Sequence, residues 1–124
     1  MAIRNVKILL DQWDIQSELI FEVDDEKLTE QLAAEINNFW SGDTDRLDNC
    51  KGSVIDAALK LYAVECFQLV AFNNFCDEEY VTKKFDWSLG EGVEGFPSFS
   101  DAGIKLIEIG NWGIDFDFVK ISKQ

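Results

Sequence analysis

The segment from Val54 to Phe72 sets the terms for any fold of this chain, because its apolar run is broken only by Asp56, Lys60, Glu65 and Gln68. A membrane span needs about 20 apolar residues, and four polar interruptions exclude one here. At helical spacing Asp56 and Lys60 share a face while Glu65 lies nearly opposite Asp56, so no single side is polar. A helix of that kind needs neighbours on several sides. The pattern therefore predicts a central core helix from Ser53 to Phe72, with the Ser53 hydroxyl capping its free amides and Asp56 as a short capping-box partner.

The rest of the chain has to supply that cover. Val6 to Trp13 and Ile15 to Val23 read as strands: Leu19, Phe21 and Val23 alternate with Glu18, Ile20 and Glu22, and Gln12 to Asp14 is turn-like. Asp24 or Asp25 is expected to cap a helix from Glu26 to Trp40. There Leu28, Leu32, Ile36, Phe39 and Trp40 form the apolar face, Lys27, Glu30, Gln31 and Glu35 the solvated one, and Gly42 stands past the end. Residues 41–53 read as a turn. Asn73 to Glu79 is a polar break, and Tyr80 to Leu89 fits either a short helix or an irregular crossing. Gly90 to Gly103 is the main loop. Ile104 to Ile109 and Ile114 to Ile121 read as a second hairpin around Gly110, Asn111, Trp112 and Gly113, with a bulge at Phe118 and Val119 to keep one face buried. The expected architecture is α+β. Its order is strand-strand-helix-helix-strand-strand, an antiparallel sheet with helices packed on one face, and residues 1–124 form a single domain. With 47% hydrophobic residues in 124, a core of this kind is affordable and a disordered acidic tail is excluded.

Charge narrows the function. The formal net charge is -13 and histidine is absent. Such a field repels phosphate backbones and anionic bilayers and attracts basic proteins, so direct nucleic-acid binding and membrane binding are not expected. The apolar run Ile8 to Leu10 meets Asp11 too soon for a signal peptide, which places the expected location in the cytoplasm. Cys50, Cys66 and Cys76 are odd in number and widely spaced, as free thiols in a reducing compartment would be. Neither a metal nor a cofactor is expected from these residues.

Four patterns invite a sharper reading and fail on context. Gly90, Gly92 and Gly95 spell G-x-G-x-x-G, but Phe96 and Pro97 follow where a helix should open, and Glu91 and Glu94 would repel a pyrophosphate. Asp43, Asp45 and Asp48 suggest a calcium loop, yet its sixth position is Asp48 and its twelfth is Val54. Asp115 and Asp117 share a strand face about 7 Å apart, a coincidence expected in so acidic a chain. Cys50 and Cys76 lack the base that would activate a nucleophile. Nothing here names catalytic residues, so an enzyme is not the favoured reading. Among the aromatics, Phe39, Trp40, Phe67 and Phe72 fit a core. Trp87, Phe96, Phe99 and Trp112 lie in glycine-rich loops beside acids, where they either anchor the loop or meet a protein partner with basic and aromatic groups.

The charge is also uneven. Residues 8 to 50 hold twelve acids against two bases, Lys27 and Arg46, so this part carries -10 of the -13. A focused field of that kind suits a basic partner surface, and carboxylates in a strand row can stand where phosphates would.

The early Asp11-Gln12-Trp13, the segment EINNFWSG from Glu35 to Gly42, the DRLD of Asp45 to Asp48 and the GFPSFSDAGIKLI of Gly95 to Ile107 together resemble a small bacterial family. That family is often encoded in prophages or other mobile elements and is classed as a domain of unknown function. The resemblance transfers no catalytic residue. It implies a setting in which small acidic proteins act on host machinery.

The leading expectation is a non-enzymatic interaction protein whose acidic amino-terminal half engages a basic partner through Asp11, Glu18, Glu22, Asp24, Asp25 and Glu30, a nucleic-acid mimic or inhibitor of a host defence protein being its sharpest form. The rival is a small-molecule-binding protein or enzyme with a pocket under the 90–103 loop, lined by Trp87, Phe96 and Trp112. A homo-oligomer is a third reading.

Overall fold

The structure, a computed structural model, describes residues 3–12, 15–73, 77–110 and 121–122. Strands β1 (Ile3–Gln12) and β2 (Ile15–Asp24) pair antiparallel from Ile3 opposite Asp24 to Gln12 opposite Ile15. Strand β3 (Ile104–Ile109) pairs antiparallel with the other side of β2, giving the order β1-β2-β3. The period-two reading of β2 holds, since Leu19, Phe21 and Val23 are fully buried. Their cross-strand partners turn the same way: Val6 stands opposite Phe21 and Ile8 opposite Leu19, with Ile104, Leu106 and Ile109 completing the inner face from β3.

The ladder between β2 and β3 carries one extra residue. Ile20 pairs with Glu108 and Phe21 with Leu106, so Ile107 is left over as a bulge, and this is what lets Ile109 rather than Glu108 face the core. The bulge expected at Phe118 and Val119 lies outside the described residues. So do Asn111, Trp112 and Gly113 and all of the expected Ile114 to Ile121 strand except Ile121.

The expected element order does not hold. Between β2 and β3 come five α-helices and a 3-10 turn: α1 (Glu30–Phe39), α2 (Asp43–Asn49), α3 (Val54–Asn73), α4 (Glu78–Lys84), the turn Trp87–Leu89 and α5 (Phe99–Ala102). The first helix starts four residues later than expected. The Asp24 carboxylate accepts from the Glu26 amide at 3.0 Å and closes a turn instead, leaving the Thr29 hydroxyl to cap the helix by accepting from Leu32 at 3.2 Å. Residues 41–53 are not simply a turn, because Gly42, at φ 85°, redirects the chain into α2. Asp77 caps α4 and Asp86 the 3-10 turn.

Helix α3 spans the expected segment, and Ser53 caps it by accepting from the Asp56 amide at 3.2 Å. Ala57, Ala58, Leu59, Tyr62, Ala63, Cys66, Phe67 and Val70 are buried. One narrow stripe, Asp56, Lys60, Val64, Gln68 and Phe72, faces solvent, so the helix is enclosed on most of its circumference but not all. Tyr62 is the hub: its ring lies 4.7 Å from Phe96 and 5.6 Å from both Phe85 and Phe99, and its hydroxyl donates to the Pro97 carbonyl at 2.8 Å. Phe99 in turn meets Phe21, tying α5 to the sheet.

Candidate functional site

Strand parity decides which acids share a surface. The face of the sheet turned away from the core carries Ile3, Asn5, Lys7, Leu9 and Asp11 from β1, Gln16, Glu18, Ile20, Glu22 and Asp24 from β2, and Lys105 and Glu108 from β3. Asp11, Glu18, Glu22 and Asp24 are thus brought onto one face. Asp25 lies just beyond the strand and is held by Arg4, Nε to Oδ2 at 3.0 Å. Glu30 is on α1, in the helical layer, and does not join the row.

The row is mixed in sign and chemistry. Lys7 Nζ lies 3.2 Å from Glu18 Oε2, and Lys105 stands opposite Glu22 in the ladder. Both Glu18 and Lys7 are exposed, so this pair is worth at most about 1 kcal/mol and leaves the carboxylate accessible. Asp24 has structural duties: its amide donates to the Gly103 carbonyl at 2.7 Å, besides the turn it closes with its side chain. Apolar atoms interrupt the charges, with Leu9 66% exposed and Ile3 and Ile107 also open to solvent. Sequence reasoning missed Glu108, Lys7 and Lys105 as members of this face. The alternation of Lys105 with Leu106 was a usable signal for one of them; Glu108 needed the bulge.

Of the two bases in residues 8–50, Arg46 is held by neutral acceptors rather than by a carboxylate. Its guanidinium donates to the Asn37 side chain at 2.8 Å and to the backbone carbonyls of Asn37, Trp40 and Ser41 at 2.7–2.9 Å, so it satisfies the end of α1 rather than Asp45 beside it. Asn37, only 2% exposed, completes the knot by donating to the Asp43 carbonyl. Asp43, Asp45 and Asp48 form no ion pair among the described residues.

The 90–103 loop is filled by its own rings. Trp87 is half exposed, donates from Nε1 to the Phe96 carbonyl at 2.7 Å, and covers Gly92 so closely that a Cβ there would sit 2.4 Å from its ring. Phe96 is buried against Tyr62, Phe85 and Trp40. Trp112 lies outside the described residues. A cleft of about 520 Å³ lies elsewhere, between β1 residues Val6 to Leu9 and the start of α3 with Asn49 to Lys51. Gly90, Gly92 and Gly95 open no helix; Val93 and Phe96 form an isolated bridge there. Burial pushes the Cys66 thiol and the Tyr62 hydroxyl above their ordinary ranges, with nearby Glu65 adding to the first and Cys66 and Asp101 to the second, so both stay protonated at neutral pH. Cys76, Asp115 and Asp117 lie outside the described residues. Among the described residues no cluster of three or more metal-binding side chains forms, and no helix is long and apolar enough to cross a membrane.

Fold and surface define a class: an acidic α+β protein with an antiparallel sheet, helices against its inner face and charge on its outer one. The chain belongs to the family described as "Protein of unknown function (DUF2528)", which matches residues 18–121. It is 34% identical over 111 residues, 89% of each chain, to the lambda prophage-derived protein ea10 of Escherichia coli O6:H1 (strain CFT073), and equally to protein ea10 of Escherichia phage lambda. No solved structure matches. The prophage resemblance read from the sequence is thereby confirmed.

Part of what carried that resemblance is packing: Ile36, Asn37, Phe96, Phe99, Ile104 and Leu106 are buried. A Cβ at Gly95, whose φ is 89°, would fall 2.5 Å from the Phe39 ring and 2.9 Å from Trp40. EINNFWSG and GFPSFSDAGIKLI therefore meet at one corner, with the DRLD arginine closing the first of them.

Proposed function

We propose that the chain is a non-enzymatic interaction protein whose outer sheet face engages a basic surface of another protein. The observation that carries this reading is the placement of Glu18, Glu22, Asp24 and Glu108 on the one face of the sheet that the described helices do not cover. The charge balance supports it, because residues 8–50 hold only Lys27 and Arg46 against twelve acids. Asp25, paired with Arg4, and Glu30, in the helical layer, lie outside the row. In its sharper form the reading has Glu22 and Asp24, two residues apart and about 7 Å at strand rise, take phosphate positions in the nucleic-acid groove of a host protein. The prophage-derived relative supports that setting.

The test is capture from host lysate by wild type and by the double variant Glu22→Lys, Glu108→Lys. A basic protein held at about 0.1 M salt, released as screening tightens, and not held by the variant is the expected result. Retention by the variant, with its circular dichroism unchanged, would overturn the reading. Displacement of the captured protein by added duplex separates the mimic from a plain acidic contact.

A further inference from the structure

We propose that the free edge of β1 pairs with the same edge of a second copy of the chain, antiparallel about a two-fold axis at Leu9. The inference stands apart from the proposed function and rests on other residues.

Among the described residues β1 pairs with β2 alone. In an antiparallel ladder every second residue of such an edge turns its N–H and C=O away from the sheet. Natural edges are blunted by proline, a bulge, shortness or charged side chains. Of these β1 has only the charges Arg4, Lys7 and Asp11: it runs ten residues in unbroken register and contains neither proline nor glycine. A cleft borders it along Val6 to Leu9.

Charge selects the partner and the register. A two-fold axis normal to the sheet keeps outer face with outer face, so it must pass through a residue. Centred on Lys7, it would oppose two lysines and put Asn5 against Leu9. Centred on Ile8, it would put Lys7 against Leu9 and Asn5 against Asp11. Centred on Leu10, it would put Leu9 against Asp11. Centred on Leu9, it puts that exposed leucine against its own copy and Lys7 against Asp11 of the partner subunit, twice. On the inner face the same register sets Ile8 opposite Leu10 of the partner subunit, beside the groove wall made by Leu59. The chain is thus sign-inverted about Leu9, which is what an isologous contact requires. The product is a continuous sheet through both copies, with helices on one side and both acidic rows on the other.

Sedimentation equilibrium at about 0.15 M salt, where the mutual repulsion of two acidic chains is screened over ~8 Å, tests this. Wild type is expected to dimerise. Leu9→Lys should weaken self-association roughly tenfold or more, as should Lys7→Glu and Asp11→Lys taken singly. An equimolar mixture of the last two should restore it, because Glu at 7 then meets Lys at 11 and Asp11 meets Lys7. All three positions are exposed, so circular dichroism should not change. A monomeric wild type, a dimer indifferent to Leu9→Lys, or a mixture no tighter than its components would each overturn the proposal.

Discussion

Around Phe99 the rings of Phe21, Tyr62 and Phe85 close at 4.7–6.0 Å between centroids, and Gly95 and Gly103 are placed where a Cβ would strike a neighbour 2.5 Å away. Along the outer face of β1 and β2, by contrast, charged and apolar side chains alternate with solvent above them. One region is specified by shape and the other by what it leaves open. The difference teaches that Gly95 and Phe99, within the stretch that carries the family likeness, report on how the chain is built, whereas Glu18, Glu22 and Glu108 on the open face lie outside the stretches that carry it.

That contrast can be broken by measurement. Phe99→Ala removes a buried ring from the corner and should cost about 3–5 kcal/mol in denaturant unfolding; a loss below 1 would show the corner to be loosely packed. Arg46→Ala leaves Asn37 and three carbonyls without their donor and should cost about 2 kcal/mol, with Arg46→Lys recovering only part because an ammonium lacks the fork. Tyr62→Phe forfeits one hydrogen bond, about 1 kcal/mol, and alters the alkaline limb of stability. Burial raises the folded-state pKa of that phenol, so above about pH 10 the unfolded chain loses a proton that the folded one keeps, and stability falls as pH rises. Cys66 adds a loss of the same sign from about pH 9. Removing the Tyr62 hydroxyl should flatten only the higher part of the fall. Glu22→Lys, on the open face, should move stability by no more than about 0.5 kcal/mol; a cost above 2 would mean that this face is covered after all.

How far the sequence carried these features depends on where the deciding contact lies. Helix α3 and strand β2 were legible because burial imposes their periodicity residue by residue, and the Ser53 cap is local. Helix α2 was hidden, since it depends on Gly42 turning left-handed and on Arg46 reaching back to carbonyls five to nine residues away. Asp24 imitated a helix cap because its carboxylate does bind a nearby amide, one that belongs to a turn. Parity alone grouped Glu18 with Glu22 and Asp24. Which carboxylates meet a cation required the register, which sets Glu18 within reach of Lys7 and leaves Asp25 to Arg4.

The extra residue in β3 has a consequence for how this chain can change length. Because Lys105 and Glu108 already pair with Glu22 and Ile20, loss of the Ile107 codon would close β3 into a regular ladder without turning any other side chain to the opposite face. Deleting Glu108 would instead put Ile107 on the outer face in its place, and deleting Leu106 would put Ile107 inside in place of the leucine. Position 107 is thus where this sheet can absorb an in-frame deletion, and a relative one residue shorter there would keep the same inner face.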